Sequence, residues 1–213
     1  MQFPNILFQI QDFLSNKIKV SNIHNDGRIN SCIDEQNIIE LLKYSKFSDN
    51  IKIPSKRFWY DLLIYDEIYE WIPVNIKFTT TRTPDNIGNL SLCVYSYTDY
   101  KMDFNKSYNN GKLTQILLKK LNNKEYNTNI KKDYFFIVYN KDNGEIIVNS
   151  ILGLIKLNPN SNNLPFQVKW KDNKKYKCEN INEKINLFIS CIKTTKSNWK
   201  EQFVCGIKQL NFL

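Results

Sequence analysis

Three polar side chains sit in two short apolar stretches at a spacing that could do chemistry on a phosphate. Asp61 lies in Trp59-Tyr60-Asp61-Leu62-Leu63-Ile64-Tyr65; Asn75 and Lys77 lie in Trp71-Ile72-Pro73-Val74-Asn75-Ile76-Lys77-Phe78-Thr79-Thr80. Both stretches have the aliphatic and aromatic character of strands, and the acidic, aromatic segment from Asp66 to Glu70 reads as the turn between them. Side chains alternate faces along a strand, so Asn75 and Lys77 share one face while Ile76 points into a core. Pairing of the two strands brings Asp61 beside both. One carboxylate, one neutral oxygen donor and one cation then meet, a set that suits metal-assisted attack on a phosphate. Asp66, Glu67 and Glu70 fall in the turn and are expected to be solvated.

Residue scarcity removes competing chemistries. The single histidine, His24, lies in a polar turn around Gly27 and reads as a surface residue, so sites built on paired histidines cannot be assembled from one chain. No nucleophile signature accompanies it, as a Ser-His-Asp or Cys-His system would need. There is no glycine-rich nucleotide cradle. The five cysteines (Cys32, Cys93, Cys178, Cys191, Cys205) contain no CxxC pair and fit neither a disulfide framework nor a zinc site; they are expected to be reduced, buried or half-buried. Carboxylate and lysine chemistry with a divalent cation remains.

The elements that must position these residues follow from periodicity. Apolar residues at three- and four-residue intervals predict a helix over residues 3–19, and a second from about residue 31 to Tyr44, carrying Glu35 and Glu40. Strands are expected over 58–65 and 72–80, then a turn over 83–88. Residues 90–98 alternate like a strand, although a helix start also fits. A helix is expected over 112–121. The continuous apolar run 134–139 reads as a strand buried on both faces, and Asn143-Gly144 as a hairpin turn into 145–148. A loop over 158–163, a strand over 166–170, a lysine-rich turn over 171–177 and a helix over 182–193 complete the pattern. The expected fold is mixed α/β (α+β), a central mixed β-sheet flanked by helices, in a single domain spanning residues 1–213.

At 213 residues with 42% hydrophobic and 14% aromatic content, the chain can build a sizeable core. No run of 18 apolar residues exists and the N-terminus has no signal-peptide pattern, so a cytoplasmic protein with no membrane partner is expected. The formal net charge of +9 points to a polyanionic partner, most often nucleic acid. Lysine accounts for 27 of the 30 basic residues in a chain rich in Asn, Lys and Ile, a bias that AT-rich codons produce by themselves. The scarce arginines, Arg28, Arg57 and Arg82, flank the paired strands and are more telling, because guanidinium suits bidentate contacts to phosphate or guanine.

Taken together, these residues resemble the PD-(D/E)xK nuclease superfamily, specifically its type II restriction endonucleases. That core is a helix carrying a glutamate, then a strand pair carrying an acid and an acid-x-Lys triplet. Asp61 is similar to the acid, Lys77 to the lysine and Glu35 to the helical glutamate, with Glu40 as the fallback. Tyr60 stands where the motif has proline, and Asn75 where the second acid is usual; an amide there offers an oxygen but no charge, so metal binding leans on Asp61 and Glu35. The likeness extends over residues 27–170, through Asp85-Asn86, Tyr97-Thr98-Asp99, Asp133 to Val138, Asn158-Pro159-Asn160 and Lys169-Trp170.

The resemblance implies a catalytic core over about 27–140 and DNA-recognition elements over about 82–110 and 155–175. It implies hydrolysis of double-stranded DNA with Mg²⁺ held by Asp61, Asn75, Glu35 and the Ile76 carbonyl, while Lys77 orients or deprotonates the attacking water. It further implies a homodimer with one site per subunit and a cognate DNA methyltransferase as partner. Candidate DNA contacts are Arg82, Thr83, Asp85, Asn86, Asn158, Asn160 and Lys169, since amides can pair with adenine and lysine with guanine. Thr79, Thr80 and Thr81 read equally as phosphate contacts or strand residues. Two other readings stay open: a basic nucleic-acid-binding protein with a dead site at Asn75, and a nuclease of the same superfamily without strict sequence specificity.

Overall fold

The computed structural model describes residues 3–15, 17–21, 24–55, 58–160 and 165–194. Arg57, Cys205 and residues 161–163 of the expected loop lie outside the described residues, as does the side chain of Arg28. Among the described residues the architecture is a five-stranded mixed sheet and a small two-stranded one with five α-helices. No helix among the described residues is long and apolar enough to cross a membrane.

The sheet has strand order β1 (Ile51–Lys52), β2 (Leu62–Asp66), β3 (Glu70–Thr79), β4 (Phe135–Asn140), β5 (Ile146–Ser150). β1 to β3 form an antiparallel meander, β3 and β4 run parallel, and β4 and β5 form an antiparallel hairpin. That hairpin turns where Gly144 adopts φ +75°, a conformation that favours glycine. The β2–β3 turn corrects one expectation. Asp66 is buried, and its carboxylate accepts from Ile68 N at 2.9 Å, Tyr69 N at 3.1 Å and Ile6 N at 3.3 Å. It is a turn and helix anchor rather than a solvated charge.

β3 carries the site, and its alternation is what the sequence predicts. Ile72, Val74, Ile76 and Phe78 enter one core with Ile38, Ile39 and Leu42 of α2 (Gly27–Lys43) and Leu7, Ile10 and Leu14 of α1 (Asn5–Leu14). Phe136 and Val138 of β4 face a second core on the opposite side, built with α3 (Leu90–Tyr97), α4 (Asn110–Asn122) and α5 (Ile181–Thr194). Pro73 causes no lost ladder bond. Val74 turns its carbonyl toward the β2 side, accepting from Asp61 N at 3.0 Å, so its neighbour Pro73 turns the other way, where pairing with β4 starts only at Val74.

Several boundaries differ from expectation for identifiable reasons. α1 stops at Leu14, where Ser15 turns extended at ψ 126°. α2 begins at Gly27, inside the expected polar turn, because Asn30 exchanges hydrogen bonds with His24 N (3.0 Å) and O (2.7 Å) and winds that turn into the helix start. Residues 90–97 are helical: Asn89 caps Leu92 N at 3.1 Å, and because all eight residues are buried, alternation carries no information. Trp59 and Tyr60 are buried but precede β2, which opens at Leu62. The expected strand at 166–170 is reduced to β7 (Phe166–Gln167), paired with β6 (Asn158–Pro159) and followed by a 3-10 turn over Trp170–Asp172. Cys93, Cys178 and Cys191 are buried; Cys32 is exposed.

Candidate active site

β2 ends its pairing with β3 at Leu62↔Val74, so beyond Val74 no strand covers the outer edge of β3 among the described residues. Alternate residues of a strand turn their N–H and C=O groups toward the same edge. The amides of Ile76 and Phe78 therefore point outward, and both are satisfied by carboxylates. Asp61 Oδ2 accepts from Ile76 N at 2.8 Å, and Glu35 Oε1 accepts from Phe78 N at 3.3 Å. The Ile76 carbonyl faces the same open edge. Asp61 is placed by its own N–H to Val74 O; Glu35 is placed by α2 packing its Ile38, Ile39 and Leu42 against β3.

Asn75 and Lys77 reach this edge from the opposite face to Ile76. Asn75 Nδ2 donates to Asp61 Oδ2 at 2.7 Å, and Lys77 Nζ lies 3.5 Å from Glu35 Oε1. Helix, strand start and strand thus bring together the four side chains expected from sequence. Glu40 is elsewhere. Five residues along a helix is about 1.4 turns, and Glu40 faces Lys43 (3.7 Å) and Gln36 (3.3 Å) instead.

Burial sets the electrostatics. It pushes the Glu35 carboxyl above the usual carboxylate range; Lys77 pulls against the rise and the neighbouring Asp61 charge adds to it. Asp61 is raised for the same reason, opposed by Lys77, the Ile76 amide and Asn75.

Of the remaining candidates, Thr83, Asp85 and Asn86 line a groove of about 620 Å³ together with Glu35, Lys77 and Thr80, whereas Arg82, Asn158, Asn160 and Lys169 do not. Both carboxylate oxygens of Asp85 are engaged, Thr79 Oγ1 donating to Oδ1 at 2.8 Å and Trp170 Nε1 to Oδ2 at 2.7 Å, so it anchors the loop at the groove wall. Thr79 and Thr81 are buried, whereas the Thr80 and Thr83 hydroxyls meet at 2.7 Å on the surface. Arg82 is exposed and pairs with Asp142 at 3.2 Å. Asn86 is exposed, Asn160 is buried, and Asn158 and Lys169 are half-buried. Of the expected recognition segment 82–110, α3 is entirely core.

Sequence reasoning missed Lys141. It follows β4, and because β4 is parallel to β3 in the register Thr79↔Asn140, it emerges at the same end of the sheet. There its Nζ bonds Ser31 Oγ at 2.6 Å and lines the groove, giving a second cation beside Lys77.

No protein-family model matches this chain, and comparison with curated proteins and with solved structures returns no match either.

The donor set fits a hard divalent cation such as Mg²⁺. Asp61 and Glu35 supply two carboxylates, the Ile76 carbonyl faces the same edge, and Asn75 Oδ1 is a buried oxygen with no hydrogen-bond partner. Among the described residues no group of three or more His, Cys, Asp or Glu side chains could hold a metal, so any cation here draws on amide and main-chain oxygen as well.

Proposed function

We propose that this chain is a Mg²⁺-dependent endonuclease of the type II restriction class. It hydrolyses phosphodiesters in double-stranded DNA as a homodimer with one site per subunit, alongside a cognate DNA methyltransferase. The observation that carries the reading is the convergence of Glu35, Asp61 and Lys77 from a helix, a strand start and a strand on the open edge of β3. A helix with a glutamate, an acid at a strand start and an x-Lys strand beside it is the arrangement the family resemblance implies.

Bound Mg²⁺ would polarise the scissile phosphate and lower the pKa of a water. Asp61 and Glu35 hold two anionic oxygens at the open edge, and their hydrogen bonds to β3 keep them there. Lys77 orients the attacking water and stabilises the charge that grows on the phosphate oxygens. Lys141, lining the same groove, holds a neighbouring phosphate. The +9 net charge draws the polyanion to the surface.

The test is incubation of a sequenced plasmid with the protein in Mg²⁺ and in EDTA, with the ends mapped. Discrete fragments that need Mg²⁺ are expected. A smear would leave a nuclease without strict specificity, and intact plasmid would end the nuclease reading.

One observation favours a second reading. Asn75 Nδ2 donates to Asp61 Oδ2, and the amide brings no charge to the position where a second acid is usual. That fits a basic protein that binds nucleic acid without cutting it, and the same experiment distinguishes it: retarded but intact DNA.

A further inference from the structure

Two neighbouring strands and a segment distant in sequence pair beside the groove. β6 pairs with β7 in the register Asn158↔Gln167, and β7 continues into a bridge with the segment after β3, Asp85↔Val168. That bridge is closed on both sides, Asp85 N to Val168 O at 2.8 Å and Val168 N to Asp85 O at 3.0 Å. It admits no slack at Gly88, where an added Cβ would lie 2.7 Å from Phe166 O. The antiparallel register places Asn86 beside Gln167. Asn158, Gln167 and Asn86 therefore stand in a row of amides across three segments, the last lining the groove that holds Glu35 and Lys77.

Their hydrogen bonds fix what the row offers. Gln167 Nε2 donates to Asn86 Oδ1 at 2.7 Å, and Asn160 Nδ2 donates to the same oxygen at 3.3 Å. With Asn86 Oδ1 and Gln167 Nε2 engaged, Asn86 Nδ2 and Gln167 Oε1 are left to face outward, one donor beside one acceptor. Turning all three amides over exchanges the two atoms but still leaves one donor beside one acceptor. In the major groove, adenine presents an acceptor at N7 and a donor at N6, which such a pair matches. Guanine presents two acceptors, N7 and O6, and would set one of them against the amide oxygen.

Resting on the nuclease reading above, we propose that the Asn86–Gln167 pair, braced by Asn160, is a base-reading element that selects an adenine in the bound duplex. Gln167 lies within the recognition segment 155–175 expected from sequence; its pairing with Asn86 is visible only from its cross-strand position.

The test selects a randomised duplex library twice with the wild type, Gln167→Ala and Gln167→Glu, once for binding in EDTA and once for cleavage in Mg²⁺, and sequences the products. The wild type is expected to fix an A·T pair at one position of its motif. Gln167→Ala should relax that position by about tenfold or more while leaving the rest of the motif intact. Gln167→Glu preserves the shape and turns Asn86 over, so that two acceptors face outward and the adenine preference is lost. If the wild type binds a motif but never cuts, the nuclease reading fails while the bound pools still judge this inference. If both variants retain the wild-type preference at every position, or the wild-type pool has no fixed adenine, the assignment is overturned even where cleavage is robust.

Discussion

Glu35 and Asp61 cap successive outward-pointing amides of the same strand, Phe78 N at 3.3 Å and Ile76 N at 2.8 Å. Each carboxylate therefore does two jobs. It completes the hydrogen bonding of an uncovered sheet edge, and it places a carboxylate oxygen where the proposed cation would bind.

Separating those jobs needs paired substitutions. Asp61→Asn and Glu35→Gln retain an oxygen for the strand amide but lose the charge, so cleavage should fall by about a hundredfold or more with little change in unfolding midpoint. Asp61→Ala and Glu35→Ala also leave an amide unsatisfied, at about 1–3 kcal/mol each, visible in urea unfolding. Equal activity in Asp61→Asn and the wild type would remove Asp61 from the site.

Lys77→Ala should abolish cleavage and leave the fold intact, since the lysine stands on a half-buried face and its contact is a 3.5 Å pair with Glu35. It should also alter Mg²⁺ binding. Burial holds both carboxyls above the ordinary range while Lys77 pulls them down. Mg²⁺ needs the ionised forms, so affinity is lost as pH falls through those raised values. Removing Lys77 moves that loss to higher pH, which calorimetric Mg²⁺ titration across a pH series would detect. An unmoved midpoint would mean that the lysine does not sense the pair.

Asn75→Asp sets a second carboxylate against Asp61, which now accepts from the amide at 2.7 Å. Two like charges at that spacing disfavour ionisation, so the variant should unfold at lower temperature without metal. With Mg²⁺ it should gain more thermal stability than the wild type, because a cation bound only by the folded state stabilises it. Identical Mg²⁺ responses would show that position 75 does not face the cation.

Asp133, fully buried, has its carboxyl pushed up to about 7 by desolvation, although Tyr134 N (2.7 Å) and Leu152 N (3.2 Å) donate to it. A folded-state value above the unfolded one means that its contribution is full below about pH 4 and is lost as pH rises through about 7. The stability of the wild type relative to Asp133→Asn should therefore fall by a few kcal/mol across that window and then level off. Parallel urea midpoints from pH 4 to 8 would contradict it.

How much of this is legible in the sequence depends on the range of the rule involved. Asn75, Ile76 and Lys77 follow from two-residue alternation, which is local to one strand. Asp61 needs one further step, the pairing of neighbouring strands across a short turn. Glu35 over Glu40 is harder, since α2 is weakly amphipathic and the choice depends on which side meets β3. Lys141 is not legible at all, and of Gln167 only its place in the expected segment 155–175 is, not its pairing with Asn86. Each acquires its place from a partner distant in sequence, the parallel β3–β4 register for one and the Asp85↔Val168 bridge for the other. The anchoring of Asp85 is hidden for the same reason, because its partner Trp170 comes from another segment.

The uncovered edge of β3 acts as a ruler. Outward amides recur every second residue, about 6.6 Å along an extended chain, so the spacing of the positions that Asp61 and Glu35 grip is inscribed in the main chain rather than in any side chain. Substitutions at 75 and 77 can retune the chemistry without changing that gauge. An inserted residue between Val74 and Phe78 would break it at once, by turning every later side chain to the wrong face.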